Sequence, residues 1–448
     1  MPSRYAAMTI PDAEGTAILT GAFPLTRRLL YRHGERQKKA GLKSWPTPPI
    51  FPLASWIKDR WAQSWPRRHV LSTLQSVQLW ETIIKSGSAA RKMDLLHLRG
   101  AAARAAQTYA IVKQYRLPTG FSDFQWTHES EAFHRWMTEY DKRLDARAAL
   151  DPASVLDAVR EAMEDGSIPL PPGGGIILAG FDEITPQLET WLNFLKSNRV
   201  TVQFSPEPSG LSKLKSGEPA RGGAVEVRRY KDPSEEAVQC ARWIRALYAP
   251  GKTFGVIVPE LDTYADLLKR ELTAELAPQS VFPWTTRDLP FDMSRGTSLA
   301  REPLLHLALS LLAVPGDPAP FETISAFLGA TSLRGGSGEA RARHDLDSKL
   351  RRQNATAVYL DRLDALIDKE TSPKLHAAFR LWKELIGNRE RLPPSAWAYR
   401  FSLFLRRVGW PSGDASWTDP MRAIYRSWTE CLDAFASLDG ILGNVTRL

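Results

Sequence analysis

The chain has 448 residues, 43% of them hydrophobic and 24% charged, which is enough material for two or more globular domains with real cores. No apolar run approaches the length of a membrane span, and the amino terminus lacks the apolar centre of a secretory signal. The two cysteines, Cys240 and Cys431, make neither a disulfide framework nor a zinc spacing. These features argue against membrane-spanning and disulfide-stapled classes and lead us to expect a cytoplasmic protein with no membrane partner. The net charge of +9 is concentrated, because residues 1–70 hold 12 Lys or Arg against 4 Asp or Glu. Such a surplus suits a polyanion partner, and equally a solvated basic face.

Thr16–Thr20 reads as the first strand. Gly21 follows, and then an amphipathic helix, Leu25–Lys39, carries Arg27, Arg28, Arg32, Arg36, Lys38 and Lys39. A phosphate-binding loop would place Gly-x-x-x-x-Gly-Lys-Ser/Thr between this strand and helix. The chain reads GAFPLTRRLL instead, with no lysine and with Pro24 where a cradle of backbone N–H groups belongs. Five of the 15 tryptophans fall in the first 80 residues. Trp56 and Trp61 lie at helical spacing and read as core, whereas Trp45 and Trp65 stand beside prolines and are the better candidates for exposure and base stacking.

Residues 71 to about 165 read as all-helical, with Asp151-Pro152 opening the last helix of the block. His128 and His134 straddle a helix start without a third ligand, so no metal is expected there. The run GGGIILAGFDEITPQLETWLNFLKSNRVTVQFS, Gly173–Ser205, is a β-α-β pattern. Ile176–Ala179 is a short buried strand, Thr185 and Pro186 start a helix with Leu188, Trp191, Leu192 and Leu195 on one face, and Val200–Phe204 is the next strand. Asp182 and Glu183 fall at the carboxyl end of the first strand, where ligands sit in open parallel sheets and where a nucleotide triphosphatase holds magnesium. A carboxylate pair ahead of a helix is also what the helix dipole favours without any ligand.

A polar linker, residues 207–223, precedes a further α/β pattern. Its pieces are strand Ala224–Arg229, helix Ser234–Leu247 with Ser234 as cap, strand Phe254–Val258 and helix Thr263–Leu276. Gly251-Lys252-Thr253 spells the end of a phosphate loop, but it runs from helix to strand, the wrong order, and reads as a turn. The remainder to Leu448 is mostly helical, with Gly335-Gly336-Ser337-Gly338 as a flexible connector. The ending, LDGILGNVTRL, breaks off in mid-pattern, so more protein is expected beyond it.

Several segments together resemble the helicase-like half of the AddB/RexB type of bacterial recombination nuclease. More closely, they resemble inactivated superfamily 1 helicases joined to a RecB-type (PD-(D/E)XK) nuclease. The segments are LTGAFPLTRRL, WPTPPIFPLASWIKDRW, LSTLQSVQLWE, GFDEITPQ, DPSEEAVQCARWIRAL, GVIVPELDTYADLLKREL, LPFDMSRGTSLAREPLLHLAL and SAWAYRFSLFLRRVGWP, in order over nearly the whole chain. The resemblance implies an α/β fold of RecA-like (P-loop NTPase-like) parallel sheets with large all-helical insertions, in a superfamily 1 helicase-like arrangement. It implies a degenerate RecA-like domain over 1–215 with a helical insertion at about 70–165, the start of a second RecA-like domain over 216–300, and a helical insertion domain over 301–448. The rest of the second domain and a nuclease domain would follow.

On this reading Asp182 and Glu183 are a vestigial Walker B pair, and Arg27, Arg28, Arg32, Trp45 and Arg295 are the candidate DNA contacts. The implied function is a catalytically silent DNA-binding scaffold of a nuclease that processes double-strand-break ends in repair and recombination. No catalytic residue, metal or ATP is expected in this chain. A divalent metal belongs to the nuclease domain, which would make the whole protein a RecB-family exonuclease. The expected partners are single-stranded DNA or a tailed duplex, and a UvrD/AddA-like helicase subunit. The alternatives are a protein–protein scaffold for such a motor, or an ATPase with an atypical nucleotide site.

Overall fold

The structure, a computed structural model, describes residues 16–90, 97–124, 126–171, 175–204, 226–249, 252, 254–281, 289–294, 298–353 and 356–447. It divides into two compact units: a smaller one within Pro206–Ser298, and a larger one that joins Met8–Ser205 to Leu299–Leu448. The fold is mixed α/β and predominantly helical.

In the Met8–Ser205 part of the larger unit the strands are β1 (Ala17–Thr20), β2 (Ile50–Pro52), β3 (His69–Val70), β4 (Ala149–Leu150), β5 (Ile176–Ala179) and β6 (Val202–Phe204). Between them run α1 (Phe23–Lys39), α2 (Leu53–Gln63), α3 (Thr73–Ala90), α4 (Leu98–Gln114), α5 (His128–Ala146), α6 (Val155–Glu164) and α7 (Pro186–Ser197). Four strands form a wholly parallel sheet in the order β2-β1-β5-β6. The pleat sorts the side chains: Ile18 and Ile177 pack with Leu29 of α1, whereas Leu19, Ile176 and Leu178 pack with Trp56 of α2, Val159 of α6 and Trp191 of α7. Covering both faces is what lets β5 be apolar at all four positions. Trp56 and Trp191 meet edge to face with centroids 5.9 Å apart, and burying side chains of this size stabilises by about 2–3 kcal/mol each.

The order of the strands locates the crevice. From β1 the chain crosses through α1 to β2 on one side, and from β5 it crosses through α7 to β6 on the other. α1 and α7 lie on opposite faces of the sheet. The topological switch point therefore lies between the carboxyl ends of β1 and β5. There the backbones approach so closely that a Cβ on Gly21 would stand 2.6 Å from the Gly180 carbonyl oxygen. Only backbone movement could relieve that contact, so Gly21→Ala is expected to lower the unfolding free energy in urea by about 1–3 kcal/mol. An unchanged midpoint would show that the two strands part freely.

The helical block of α3, α4 and α5 closes around Trp80, Tyr109 and Tyr140, with the Trp80 and Tyr140 rings stacked at 4.3 Å. Asp151 begins the return to the sheet. Its side chain accepts from the Ala153 backbone N–H at 2.8 Å and caps a short 3-10 turn that runs on into α6. The carboxyl-terminal helices share one apolar cluster, centred on Phe327, Phe379, Trp382 and Trp397.

The glycine run expected to be a flexible connector is a packed junction. Gly335 takes a left-handed φ of +74° and donates its N–H to Asp414 at 3.0 Å. Glu339 then accepts the Lys374 and Leu375 N–H groups at 2.8 Å each, at the start of helix Pro373–Gly387. In the charged helix Ala340–Arg351, Arg343 takes the inward stripe with Leu346 and Leu350. It donates to the Arg334 carbonyl at 2.5 Å, and burial pushes its guanidinium below the ordinary range against the opposing pull of Glu339 and Asp414.

The smaller unit is a helix pair, α8 (Pro233–Leu247) and α9 (Leu261–Leu276), closed over Ala237, Ala241, Ile244, Leu268 and Leu272. Two expectations fail here. The cap of α8 is Asp232, which accepts the Glu235 N–H at 2.9 Å and leaves Ser234 inside the first turn. The described residues 226–230 and 254–258 carry no strand, because among the described residues neither finds a neighbour to complete a ladder; Val227 is 83% and Ile257 94% exposed. Residues 207–223, read as a linker, lie outside the described residues. The Lys252 N–H bonds to the Ala249 carbonyl at 3.1 Å.

Cys240 is half-buried on α8, and burial followed by the Glu236 carboxylate raises its thiol above the ordinary range, while Cys431 is exposed. We expect one fast-reacting thiol near neutral pH, Cys431, and a second that reacts only slowly. Loss of the fast phase in Cys431→Ser checks the assignment, and a fast Cys240 would contradict it.

Candidate nucleic-acid interface

The site is built from the carboxyl edge of the sheet outward. β1 ends at Thr20 and α1 begins at Phe23, so only Gly21 and Ala22 connect them. A loop that wraps a phosphate needs several successive N–H groups turned inward. Here Pro24 has none, and the Leu25 N–H is bonded to the Ala22 carbonyl at 3.1 Å. The Thr20 and Thr26 hydroxyls are buried against each other at 2.5 Å, which pins the helix to the strand it leaves. No side chain caps α1 and no acidic residue lies in its first turn.

Across the switch point, Gly180 releases β5 into the loop that bears Asp182 and Glu183, both exposed. The two carboxylates have different surroundings. The Glu183 carboxylate accepts the Tyr115 hydroxyl from just beyond α4 at 2.6 Å, and that bond raises the tyrosine above its ordinary range. Asp182 has no hydrogen-bond partner among the described residues. Gln187, buried in the first turn of α7, donates to the Ala153 carbonyl and to Asp157, each at 2.8 Å. Arg116 also reaches Asp157, at 2.7 Å. Gln187 and Arg116 therefore tie the helical block to the sheet.

The helix that leaves this edge is basic along its outer side. Arg27 and Arg28 are exposed and make no ion pair among the described residues, and Arg36, Lys38 and Lys39 continue the charge to the carboxyl end of α1. Arg28, Arg32 and Arg36 follow one another at four-residue steps, a spacing at which like charges repel. Partial burial, then Arg28, then Arg36 push the Arg32 guanidinium down from its ordinary range. Lys38 is offset by Glu35 at 3.2 Å, the one acidic residue of the helix.

No protein-family model matches this chain, and no curated protein matches it.

The sequence-derived contacts are placed unevenly. Arg27, Arg28 and Arg32 share one helix. Trp45 is half-buried, its ring edge 3.3 Å from where a Cβ on Gly34 of α1 would stand, so it braces the basic helix. Trp65, taken with it as a candidate for exposure, is 92% exposed. Trp56 is core as expected, and Trp61 is half-buried, donating its indole N–H to the Arg68 carbonyl at 2.9 Å. Arg295 lies outside the described residues. Sequence reading missed Phe23, Tyr31 and Trp126, which are 65%, 68% and 83% exposed. The helical spacing of Phe23 and Tyr31 on the side of α1 away from Leu29 was the signal that could have found those two.

His134 lies with a ring nitrogen 3.3 Å from the Thr119 carbonyl oxygen. Among the described residues no group of three or more His, Cys, Asp or Glu could hold a metal ion. No helix there is long and apolar enough to cross a membrane.

Proposed function

We propose that this chain is a helicase-like, DNA-binding scaffold, of the AddB/RexB kind, for a nuclease that processes DNA ends in repair and recombination. The observation that carries the reading is the exposed basic face of α1, which projects from the switch-point edge of a parallel α/β sheet. The two-residue junction ahead of that helix supports binding without a coupled ATP cycle: it offers neither the lysine nor the run of N–H groups that would hold nucleotide phosphates. In this account RecA-like architecture serves to hold a strand by its phosphates. Motor activity would come from a UvrD/AddA-like subunit, and strand cleavage from a RecB-type nuclease domain that needs a divalent metal.

The test is binding of a labelled single strand and of a tailed duplex, at two salt concentrations, with and without ATP and magnesium. Salt-sensitive binding that ATP leaves unchanged is the expected result. ATP-dependent release, or turnover abolished by Asp182→Ala, would replace the reading with an ATPase of atypical site. Indifference to DNA at low salt would replace it with a protein–protein scaffold.

A further inference from the structure

Phe23, Arg27 and Tyr31 lie at successive four-residue steps on α1, so they form one slowly winding stripe. All three face solvent, and the two rings keep most of their surface in water, whereas Leu29 on the opposite side of the helix is 1% exposed. The rings stand eight positions apart, which is about 12 Å along the helix axis at 1.5 Å per residue. Arg28 borders the stripe within the same turns, and Lys38 continues it.

Rings and cations that alternate along an exposed helix face match a ligand whose own flat apolar groups and anionic groups alternate. We propose that this stripe is a stacking ledge for single-stranded DNA, on which Phe23 and Tyr31 each take a base face while Arg27 and Arg28 take the phosphates between. The inference rests on the DNA-binding reading above and adds to it the strand state and the residues that recognise it. Charge complementarity favours a polyanion. The rings then favour a strand with unpaired bases, because in a duplex both faces of every base are already stacked. The like-charge crowding of Arg28, Arg32 and Arg36 is relieved when phosphates lie over the helix.

The experiment uses the full chain and two labelled probes of about 20 nucleotides, an oligodeoxythymidine and an abasic deoxyribose-phosphate strand of the same length. Both carry the phosphates, and only the first carries bases. We expect the wild type to bind the thymidine strand about tenfold or more tightly than the abasic strand. Phe23→Ala with Tyr31→Ala should erase that preference while leaving the salt dependence unchanged, and Tyr31→Phe alone should keep it. Both rings are exposed, so the double variant should keep its circular dichroism and melting temperature. Equal binding of both probes by the wild type, or a double variant that still prefers the thymidine strand, would overturn the ledge while leaving phosphate binding standing. Failure of both probes to bind would instead remove the DNA-binding reading itself.

Discussion

Asp151→Ala will cost the larger unit about 3 kcal/mol of stability. The Asp151 carboxylate is 5% exposed and faces no cation among the described residues, so its compensation is by hydrogen bonds. It accepts the Tyr140 hydroxyl at 2.7 Å, the Ser76 hydroxyl at 2.9 Å and the Ala153 N–H at 2.8 Å, which joins α3, α5 and the turn ahead of α6 through one residue. Removing the acceptor loses a helix cap worth about 1 kcal/mol and leaves buried donors that cost about 1–3 kcal/mol more. Ser76 and Tyr140 can still bond to each other at 2.8 Å, which limits the loss. Asp151→Asn keeps the cap and lets both hydroxyls turn round as acceptors, so it should cost about 1 kcal/mol. Urea unfolding of both variants distinguishes this account from simple packing, and near-equal losses for Ala and Asn would contradict it.

Reversing the charge of Arg27 and Arg28 to Glu together will weaken binding of single-stranded DNA on the order of 100-fold at moderate salt. If α1 holds a strand as proposed, two phosphate contacts are lost and two repulsions replace them. The salt dependence should also flatten, because each lost contact on a single strand removes about 0.7 from the slope of log affinity against log salt. The fold should not be the cause of the loss. Both side chains are exposed, and replacing Arg28 removes a like-charge neighbour four residues from Arg32. A melting temperature within a few degrees of the wild type, measured on the same preparation, keeps that explanation closed. Unaltered affinity would place the contact surface elsewhere, with Trp65 the first alternative to replace because it is 92% exposed.

The parts of the fold that could be read from sequence are those set by local pattern. β1, α1, β5, α7 and β6 emerge from short apolar runs, a threonine cap that accepts the Leu188 N–H, and prolines at first turns. The helical block between β2 and β5 was legible for the same reason. What stayed hidden depends on partners far along the chain. The Asp151 network spans residues 76 to 151, and nothing near Asp151 in sequence announces Ser76. Arg343 looks like any other charge of its helix until Leu346 and Leu350 fix the inward stripe. The described residues 226–229 and 254–258, where strands were expected, show the converse failure, since β-propensity describes a fit to a sheet and cannot supply the neighbouring strand.

For the candidate site, sequence reading found the basic helix and the carboxylates at the end of β5, because each is a feature of a few adjacent residues. It placed Trp45 as a free stacking residue, and the structure lays it against Gly34 of α1. It overlooked Phe23 and Tyr31, because attention to tryptophans beside prolines left the exposed rings of α1 unread. The loop-to-block bond between Glu183 and Tyr115 joins residues 68 apart and could not be read locally.

The measurement that bears most directly on the account is a salt titration of the wild-type chain with a labelled single strand. Four or five cations of α1 acting on phosphates predict that log affinity falls against log salt with a slope of about −3. A slope near zero, or no binding at the lowest salt, would mean that the basic face of α1 does not hold a nucleic acid.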